Sequence, residues 1–362
     1  MNATNPTSGT LNGDTGALLG ACPLPITNYK EIVLAHGSGG KLSQQLIQGI
    51  VLPRFRNGLL DPLHDGAVFM LNGARFAFST DSYVVSPIFF PGGDIGKLAV
   101  HGTVNDLAMC GARPLYLSAG FILEEGMPMR DFARVVESMG EAAASAGVAF
   151  ITGDTKVVDR GKADGIFINT SGIGIVPEGV AIAPARARPG DKILLSGQIA
   201  VHGIAIMSVR EGLEFETEIA SDSAPLNGLV EAMLAACGDI HVLRDPTRGG
   251  ISSALTEIAQ SAGVGMVLDE ARIPIGEEVK GACEILGLDP LYVANEGKLL
   301  AIVPSNDAER LLAAMRAHPL GREAAIIGEV TSDHAAFVLM KTRVGGTRVV
   351  EMLSGEQLPR IC

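Results

Sequence analysis

The chain has 362 residues, 47% of them apolar, with no tryptophan and a formal net charge of −12. Its length predicts two packed domains with sizeable cores, and its composition is typical of an α/β enzyme, not of a disordered or fibrous protein. The acidic balance argues against a nucleic-acid or anionic-membrane surface, and no apolar run reaches the roughly 18–20 residues that cross a bilayer.

The chain begins with a stretch rich in asparagine, threonine and glycine that lacks the basic-then-apolar order of a signal peptide. We predict that residues 1–27 form a disordered extension of a cytoplasmic protein. The five cysteines are scattered without a CxxC pair, which indicates reduced thiols instead of disulfides or a zinc site.

A first glycine-rich cluster follows at residues 36–41, with the sequence HGSGGK. Its backbone N–H groups are suited to phosphate oxygens, although a flexible turn would have the same composition. The candidate binding residues are Gly37, Ser38, Gly39 and Gly40.

Acidic residues recur where apolar stretches of the first half end. These residues are Asp65, Asp81, Asp106 and Asp154. If they converge, their carboxylates would hold Mg²⁺ beside a triphosphate, whereas any single aspartate could simply cap a helix or form a turn. The adjoining Asn105 and Thr155 are further candidates for binding the nucleotide.

The two halves of the chain repeat one pattern. Apolar residues at helical spacing predict helices over residues 129–146 and 251–262, each ending at a glycine before a short apolar strand. Proline and glycine interrupt regular structure over residues 176–191, before a predicted strand at 192–195. We therefore predict an N-terminal domain of residues 28–180 and a C-terminal domain of residues 187–344.

A second glycine-rich cluster, DPTRGG at residues 245–250, directly precedes the helix predicted in the second half. A helix N-terminus favours anions, so Asp245, Gly249 and Gly250 are candidate cofactor-binding residues, and Asp245 is a candidate metal ligand. Neither glycine cluster has the spacing GxxxxGK[ST], which argues against a Walker-type nucleotide site.

The chain ends in Pro359-Arg360-Ile361-Cys362. A glycine pair at 345–346 predicts a hinge, residues 347–353 read as a strand, and the segment 345–362 is predicted to be a flexible tail. Extended, such a tail reaches about 50 Å, so its terminal thiol could visit more than one site.

Read together, these segments resemble the ATP-binding superfamily of aminoimidazole ribonucleotide synthetase, selenophosphate synthetase and thiamine-monophosphate kinase. Within it, the sequence is most similar to the HypE family of carbamoyl dehydratases. The segments that carry the resemblance are 36–41, 65–68, 79–85, 104–112, 152–158, 244–250, 295–298 and the terminal Pro-Arg-Ile-Cys.

The resemblance implies a two-domain α/β fold whose N-terminal sheets pair across a homodimer, with ATP and Mg²⁺ in an acidic cleft. The metal ligands would be Asp65, Asp81, Asp106, Asp154 and Asp245. It also implies a reaction: the carbamoyltransferase HypF places a carbamoyl group on Cys362, and ATP-dependent dehydration converts that group to a thiocyanate. The cyanide then passes to the iron centre of a nickel–iron hydrogenase on a HypC–HypD scaffold.

Such a dehydration must remove two N–H protons, and two residues of the resembling motifs could act as the base. Lys156 lies two positions after a candidate ligand, and Glu296 precedes a glycine that permits a tight turn. Lys156 could equally neutralise phosphate charge. His101 and His202 are better read as structural histidines.

Two alternatives remain open from the sequence. The first keeps the fold but makes the chain a selenophosphate or aminoimidazole ribonucleotide synthetase, which would not account for the terminal cysteine motif. The second is a non-catalytic assembly factor, against which the intact acidic positions argue.

Overall fold

The computed structural model describes residues 29–212, 219–355 and 360–361. The chain divides into two compact units, residues 1–32 and 33–362, and the fold given below is that of the second unit. The predicted extension of residues 1–27 and the terminal Cys362 lie outside the described residues. Among the helices of the described ranges, none is both long and apolar enough to cross a membrane.

The first half of the unit is built on a five-stranded sheet. Its strands are β1 (Ala67–Leu71), β2 (Ala74–Tyr83), β5 (Arg113–Glu124), β6 (Ala149–Val158) and β7 (Ile166–Ile175). They stand in the order β1-β2-β7-β5-β6, with β5 and β6 parallel and the other neighbours antiparallel. A separate short hairpin joins β3 (Phe89–Phe90) to β4 (Gly93–Asp94).

Helices cover one face of this sheet. They are preceded by α1 (Lys41–Leu46), a π-helical turn (Ile47–Val51) and α2 (Leu52–Phe55). The covering helices are α3 (Ile95–Met109) and α4 (Met129–Ala146). Helix α3 begins at Asp94, whose Oδ1 accepts the backbone N–H groups of Gly96 and Lys97 at 2.8 and 3.0 Å. Almost all of α3 is buried, so the side chains that project from this helix are held in fixed positions.

The opposite face of the sheet is open. Phe78 on β2 is in register with Ile173 on β7, which is in register with Tyr116 on β5. Residues in register point to the same face, so these three side chains form an apolar row. Phe78 is 44% exposed and Tyr116 is 46% exposed, a large fraction for aromatic side chains.

The second half is built on a seven-stranded sheet. Its strands are β8 (Lys192–Leu195), β9 (Val242–Arg244), β10 (Gly265–Asp269), β11 (Leu300–Val303), β12 (Ala325–Thr331), β13 (Val338–Lys341) and β14 (Thr347–Val350). The order is β14-β13-β10-β12-β8-β11-β9, and only the β10–β13 pair among these is parallel.

Helices pack on both faces of the second sheet. The helices of this half are α5 (Val201–Arg210), α6 (Asn227–Ala236), α7 (Gly250–Ala262), α8 (Glu277–Leu286) and α9 (Ser305–Ala317). Ile193 and Leu195 join the core beneath α7, whereas Leu194 between them joins the core beneath α6 and α9. This alternation is that of a strand buried on both faces.

The helices predicted at 129–146 and 251–262 are confirmed as α4 and α7. Each ends at a glycine in the left-handed conformation, Gly147 with φ of 70° and Gly263 with φ of 67°. A side chain would be strained there, which is why a glycine marks both ends. The strand predicted at 192–195 is confirmed as β8, and the mixed α/β architecture is confirmed as a whole.

The segment predicted to be a flexible tail begins inside the fold. Strand β14 pairs antiparallel with β13, and the residues after it are fastened to the glycine clusters. The backbone N–H of Lys41 donates to Leu353 O at 2.9 Å, and Ser252 Oγ donates to Glu351 O at 2.7 Å. Backbone pairing thus fixes the chain well past the glycine hinge predicted at 345–346.

Candidate active site

The two glycine clusters meet in the structure. Gly39 has φ of 74°, and a Cβ at this position would lie 2.5 Å from Cβ of Arg248. Gly249 has φ of 77°, and a Cβ there would lie 2.2 Å from Oγ of Ser253 and 3.0 Å from the Gly39 carbonyl oxygen. Both positions therefore require glycine, for conformation and for space. The close packing lets both loops present backbone to one cleft.

This cleft has a volume of about 710 Å³, within the range of small-molecule sites. It lies against α1, the π-helical turn and one side of α7. The predicted site residues that line it are Gly37, Gly39, Gly40, Asp65, Asp81, Asp106 and Asp245. The sequence thus located these seven residues, although the distances between them could not be read from it.

Three of the carboxylates form one cluster. Oxygen atoms of Asp65, Asp106 and Asp245 all lie within 4.8 Å of one another. Asp65 comes directly before the first sheet, Asp106 projects from α3, and Asp245 follows β9, so the cluster joins both halves of the fold. Oγ of Ser79 lies 2.6 Å from Oδ2 of Asp106 and 2.9 Å from the Asp65 carbonyl oxygen. A hydroxyl on β2 therefore links two members of the cluster.

Burial and mutual repulsion destabilise the charged forms of the three clustered carboxyl groups. Burial, followed by the charges of Glu257 and Asp81, raises the pKa of Asp65 to about 6 against the opposing charge of Arg244. Burial and then the neighbouring carboxylates raise the pKa of Asp106 and the pKa of Asp245 well above the usual range. Bringing like charges together out of water has this effect, and a bound cation reverses it.

One oxygen of the cluster has no hydrogen-bond partner among the described residues. Oδ1 of Asp65 is 2.9 Å from Nη1 of Arg244, but the buried Oδ2 accepts no hydrogen bond. Its near neighbour is Nδ1 of His64 at 3.4 Å, and burial with the charge of Arg244 lowers the pKa of His64 to about 4. The imidazole is therefore neutral at pH 7. Hard carboxylate oxygens with an unsatisfied atom fit Mg²⁺.

Glu296 lies behind this cluster. It is 3% exposed, and its Oε1 has no hydrogen-bond partner among the described residues. Burial, then the charges of Asp245 and Asp81, raises the pKa of Glu296 well above its usual range. A buried carboxyl group with a displaced pKa beside a cleft is a candidate acid–base group.

Two asparagines place Glu296 beside the carboxylate cluster. Asn105, next to Asp106, donates from Nδ2 to the Glu296 carbonyl oxygen at 3.2 Å and accepts from the Leu226 N–H at 2.7 Å. Asn295, next to Glu296, donates from Nδ2 to the carbonyl oxygen of Pro246 at 2.9 Å. Asn105 does not line the cleft, so the structure gives it a supporting position in place of the predicted contact with the nucleotide.

Two other predicted binding residues also stand behind the cleft. Ser38 Oγ lies 2.9 Å from the Ala35 carbonyl oxygen and 3.2 Å from that of Gly355. Gly250 begins α7, and a Cβ there would lie 2.4 Å from the Leu291 carbonyl oxygen. These residues shape the loops whose neighbours line the site.

Asp154, Thr155 and Lys156 lie on β6, away from this cleft. Asp81 is in register with the buried Thr170, whereas Asp154 is in register with Gly120, which is opposite Asn169. Successive residues of a strand face opposite sides, so Asp154 points from the open face of the first sheet. It pairs there with Lys156, whose Nζ is 2.7 Å from Oδ1. Within one chain, Asp154 does not join the carboxylate cluster.

The structure adds charged residues that the sequence interpretation passed over. Arg244 is buried between Asp65 and Glu257, and its Nη2 lies 2.5 Å from Oε2 of Glu257. Arg248 lines the cleft with Nη2 3.9 Å from Oδ1 of Asp81. The available signal was their position: both flank Asp245 in the second glycine cluster.

The C-terminal residues Arg360 and Ile361 are held on α5. The Ile361 carbonyl oxygen lies 2.9 Å from Nε2 of His202, and that of Arg360 accepts from Nη2 of Arg210 at 2.8 Å. The prediction for Cys362, the next residue, falls outside the described residues. The start of α5 also contacts the loop of Glu296, since the Ala200 N–H donates to Oδ1 of Asn295 at 2.7 Å.

Comparison with known proteins gives matches over both halves. Residues 63–176 match the family model AIR synthase related protein, N-terminal domain, and residues 188–341 match AIR synthase related protein, C-terminal domain. The chain is similar to the carbamoyl dehydratase HypE of Azotobacter vinelandii, with 61% identity over 332 residues that cover 92% of this chain and 97% of that protein.

Solved structures give the same result. A structure of the hydrogenase maturation protein HypE in complex with ATP has a TM-score of 0.78 and 53% identity, covering 92% of this chain and 100% of that one. A HypE–HypF complex has a TM-score of 0.81 and 49% identity, covering 85% of this chain and 99% of that one.

Proposed function

The chain belongs to the AIR synthase related family and, within it, to the HypE carbamoyl dehydratases; from this premise we propose that it uses ATP to dehydrate a carbamoyl group carried on Cys362 to a thiocyanate. The observation that carries the proposal is that the end of the chain and the loop of the candidate base Glu296 are both held at the start of α5. Ile361, the residue before Cys362, hydrogen-bonds to His202 in the first turn of α5. Asn295, the residue before Glu296, accepts a hydrogen bond from the backbone N–H of Ala200, which directly precedes α5.

ATP binds in the cleft between the two glycine clusters. Backbone N–H groups of Gly37 and Gly40 contact its phosphates, the Gly39 N–H donates to Ser43 Oγ at 2.9 Å, and Arg248 adds a positive charge. Asp65, Asp106 and Asp245 hold Mg²⁺, with Asp81 beside them, and the metal neutralises triphosphate charge when it is bound. The unsatisfied Oδ2 of Asp65 and the ATP complex of the HypE relative support this assignment.

The carbamoyl oxygen attacks the terminal phosphorus of ATP, forming a C–O–P linkage and releasing ADP with loss of one N–H proton. The C–O bond then breaks with loss of the second N–H proton, which leaves S–C≡N on Cys362 and inorganic phosphate. Phosphate leaves far more readily than oxide would, so the nucleotide supplies the leaving group. The protein supplies alignment and charge stabilisation, the main requirements of phosphoryl transfer.

Glu296 accepts the proton that departs as the nitrile forms. Burial first, and then the charges of Asp245 and Asp81, raise its pKa and favour its protonated form while the neighbouring carboxylates are uncompensated. Positive charge at the cluster lowers that pKa and frees the carboxylate to act as a base. The site thereby gains its base when the nucleotide complex is assembled.

The protein acts as a homodimer that pairs through the open face of the first sheet. The apolar row of Phe78, Ile173 and Tyr116, whose two aromatic side chains are exposed, supports this, as does the long, exposed edge strand β6, because an isolated domain seldom leaves such a surface uncovered. Asp154 and Lys156 project from the same face. In the dimer they act at the partner's nucleotide site, which accounts for their distance from the cleft of their own chain.

The partners and the organisation follow from the same assignment. HypF supplies the carbamoyl group, and the HypC–HypD scaffold receives the cyanide for the iron centre of a nickel–iron hydrogenase. The HypE–HypF complex of a relative supports the first step. We also propose a cytoplasmic location, and domains of residues 28–180 for ATP binding and dimerisation and 187–344 for the C-terminal half.

Intact-mass spectrometry of the full chain tests this function. With the carbamoyltransferase and its substrates, Cys362 should gain about 43 Da, and added ATP with Mg²⁺ should then remove about 18 Da. The Cys362→Ala variant should bind ATP and show neither change. Modification of another cysteine, or a carbamoyl adduct that persists with ATP, would contradict the proposal and leave a non-catalytic assembly role.

A further inference from the structure

The last described residues are bound through their backbone. The Ile361 carbonyl oxygen lies 2.9 Å from Nε2 of His202. The Arg360 carbonyl oxygen accepts the Ser86 N–H at 3.2 Å and an Nη2 hydrogen of Arg210 at 2.8 Å. The guanidinium of Arg360 pairs with Asp164. We name the four binding residues, Ser86, Asp164, His202 and Arg210, the tail dock.

The side chain of Ile361 fixes how far the tail enters. It is 3% exposed and belongs to the core formed by the first sheet, α3 and α5. Burial of this apolar side chain favours the docked tail. The dock itself is also braced: Glu124 accepts the N–H groups of Gly161 and Gly165 at 2.5 and 3.2 Å and so holds the loop that carries Asp164.

His202 can hydrogen-bond to the Ile361 carbonyl oxygen only as the donor. A carbonyl oxygen accepts hydrogen bonds and cannot donate, so the proton must be on Nε2. Nδ1 then accepts from the hydroxyl of Ser221 at 2.8 Å. His202 is fully buried, and its ring meets that of Phe90 edge-on at 5.7 Å between centroids. Its ring is therefore held by Ser221 and Phe90 as well as by the tail.

The same helix start holds the loop of the candidate base. The Gly203 N–H donates to the Ala294 carbonyl oxygen at 3.2 Å, and the Ala200 N–H donates to Oδ1 of Asn295. The start of α5 thus holds both segments, Ile361 through the side chain of His202 and the loop before Glu296 through the backbone N–H groups of Ala200 and Gly203.

We propose that His202 is a positioning residue: by holding the Ile361 carbonyl it populates the docked tail and presents the group on Cys362 to Glu296. The inference rests on the proposed function for its chemical consequence. Carbamoylation by a partner enzyme requires a released tail, whereas dehydration requires a docked one. Weakening the dock therefore speeds reactions of Cys362 with external reagents and slows the internal step.

Alkylation kinetics of the full-length, nucleotide-free protein test the dock directly. Iodoacetamide is the probe, and peptide mapping follows Cys362 separately from the other cysteines. His202→Ala should raise its alkylation rate by about 3- to 10-fold, the effect of losing one buried hydrogen bond. His202→Gln places an amide N–H near the former Nε2 and should restore the rate to within about twofold of the wild-type protein.

His101→Ala is the matched control. His101 is likewise buried at 2% exposure, with Nδ1 lying 3.0 Å from Ser223 Oγ, but within the described part of the chain it forms no hydrogen bond with residues 360–361. This variant should leave the alkylation rate of Cys362 within about twofold, since it removes a buried imidazole elsewhere. Equal rates for wild type and His202→Ala, both shown to be folded by circular dichroism, would overturn the inference. So would a glutamine variant that behaves like the alanine variant.

The alkylation and dehydration experiments distinguish an error in the tail dock from an error in the proposed function. Alkylation uses neither ATP nor a carbamoyl group, so a faster reaction in His202→Ala supports the dock even if no thiocyanate forms. If the wild-type protein does form thiocyanate, His202→Ala carrying a carbamoyl group should form it more slowly, and His202→Gln should recover the rate. Unchanged dehydration in a variant with faster alkylation would contradict the positioning role.

Discussion

Nη1 of Arg244 lies 2.9 Å from Oδ1 of Asp65, and the two side chains are only 17% and 8% exposed. Arg244 is the cation that offsets the carboxylate cluster, and the same charge keeps the pKa of His64 low. Arg244 therefore offsets the repulsion within the carboxylate cluster, but it also contacts one oxygen of Asp65, a proposed metal ligand.

Arg244→Met should therefore destabilise the protein when divalent cations are absent. Removing one partner of a buried pair costs about 3–5 kcal/mol of unfolding free energy. Mg²⁺ with ATP should stabilise the variant more than the wild-type protein, because the metal replaces the lost charge. Urea unfolding with chelator and with Mg²⁺-ATP measures both effects.

Arg56→Met provides the control for this measurement. The Arg56–Asp61 pair has the same close contact, 2.7 Å, but its side chains are 73% and 45% exposed. Water screens such a pair, so the unfolding free energy should change by less than about 0.5 kcal/mol. An equal loss in both variants would show that the cluster has no special dependence on Arg244.

The pH dependence of stability should reveal the cluster. Burial and the neighbouring carboxylates raise the pKa of Asp65 from 3.8 to about 6, and they hold the pKa values of Asp106 and Asp245 well above 3.8. The folded state then binds more protons than the unfolded state, so this contribution stabilises the fold at low pH and is lost as the pH rises through the folded pKa values.

Asp245→Asn isolates this contribution. In chelator, the difference in unfolding free energy between variant and wild type should grow in favour of the variant as the pH rises above the ordinary carboxyl value of 3.8, because the pKa of Asp245 is raised in the folded state and the amide removes one repelling charge. Mg²⁺ should reduce the difference by stabilising the wild-type cluster. A difference that does not vary with pH would contradict the assigned pKa shifts.

Glu296→Gln should separate binding from chemistry. The amide matches the volume of the buried carboxyl group and cannot accept a proton, so ATP affinity should be retained while thiocyanate formation falls by about 100-fold or more. Calorimetric titration with ATP and single-turnover mass analysis measure the two quantities. A rate within about threefold of wild type would exclude Glu296 as the general base.

Tyr116→Asp should dissociate the proposed homodimer. It places a charge in the apolar row of the open sheet face, where desolvating the charge on pairing is costly. Analytical ultracentrifugation should show a dimer for wild type and a monomer for the variant. Val344→Asp, at a residue 95% exposed in a loop outside that face, should remain dimeric. A wild-type monomer would contradict the dimer and the proposed role of Asp154.

Local patterns predicted the elements well, because the determinants are near in sequence. Helical periodicity and a terminal glycine were sufficient for α4 and α7, and the second glycine cluster does lie at the start of α7. Acidic residues at the ends of apolar stretches also indicated a cluster. Of the four that this pattern named, Asp65 and Asp106 converge, and Asp245 of the second glycine cluster joins them.

Relationships across the sheet could not be predicted in this way. The side of the first sheet from which Asp154 points depends on the register of β6 with β5, which shifts between Leu117 and Ser118. The contact of His202 with Ile361 spans 159 positions, and no local pattern marks it. The sequence therefore identified His202 as a structural histidine without revealing what it holds.

Transfer of heavy oxygen from the carbamoyl group tests the central claim most directly. The chain is first carbamoylated on Cys362 with a carbamoyl group labelled in its oxygen, and a single turnover is then started with unlabelled ATP and Mg²⁺. Phosphorylation of the carbamoyl oxygen requires that the label appear in inorganic phosphate, one atom for each thiocyanate formed. Label found in water, with unlabelled phosphate, would contradict ATP-driven dehydration of the tail-borne group.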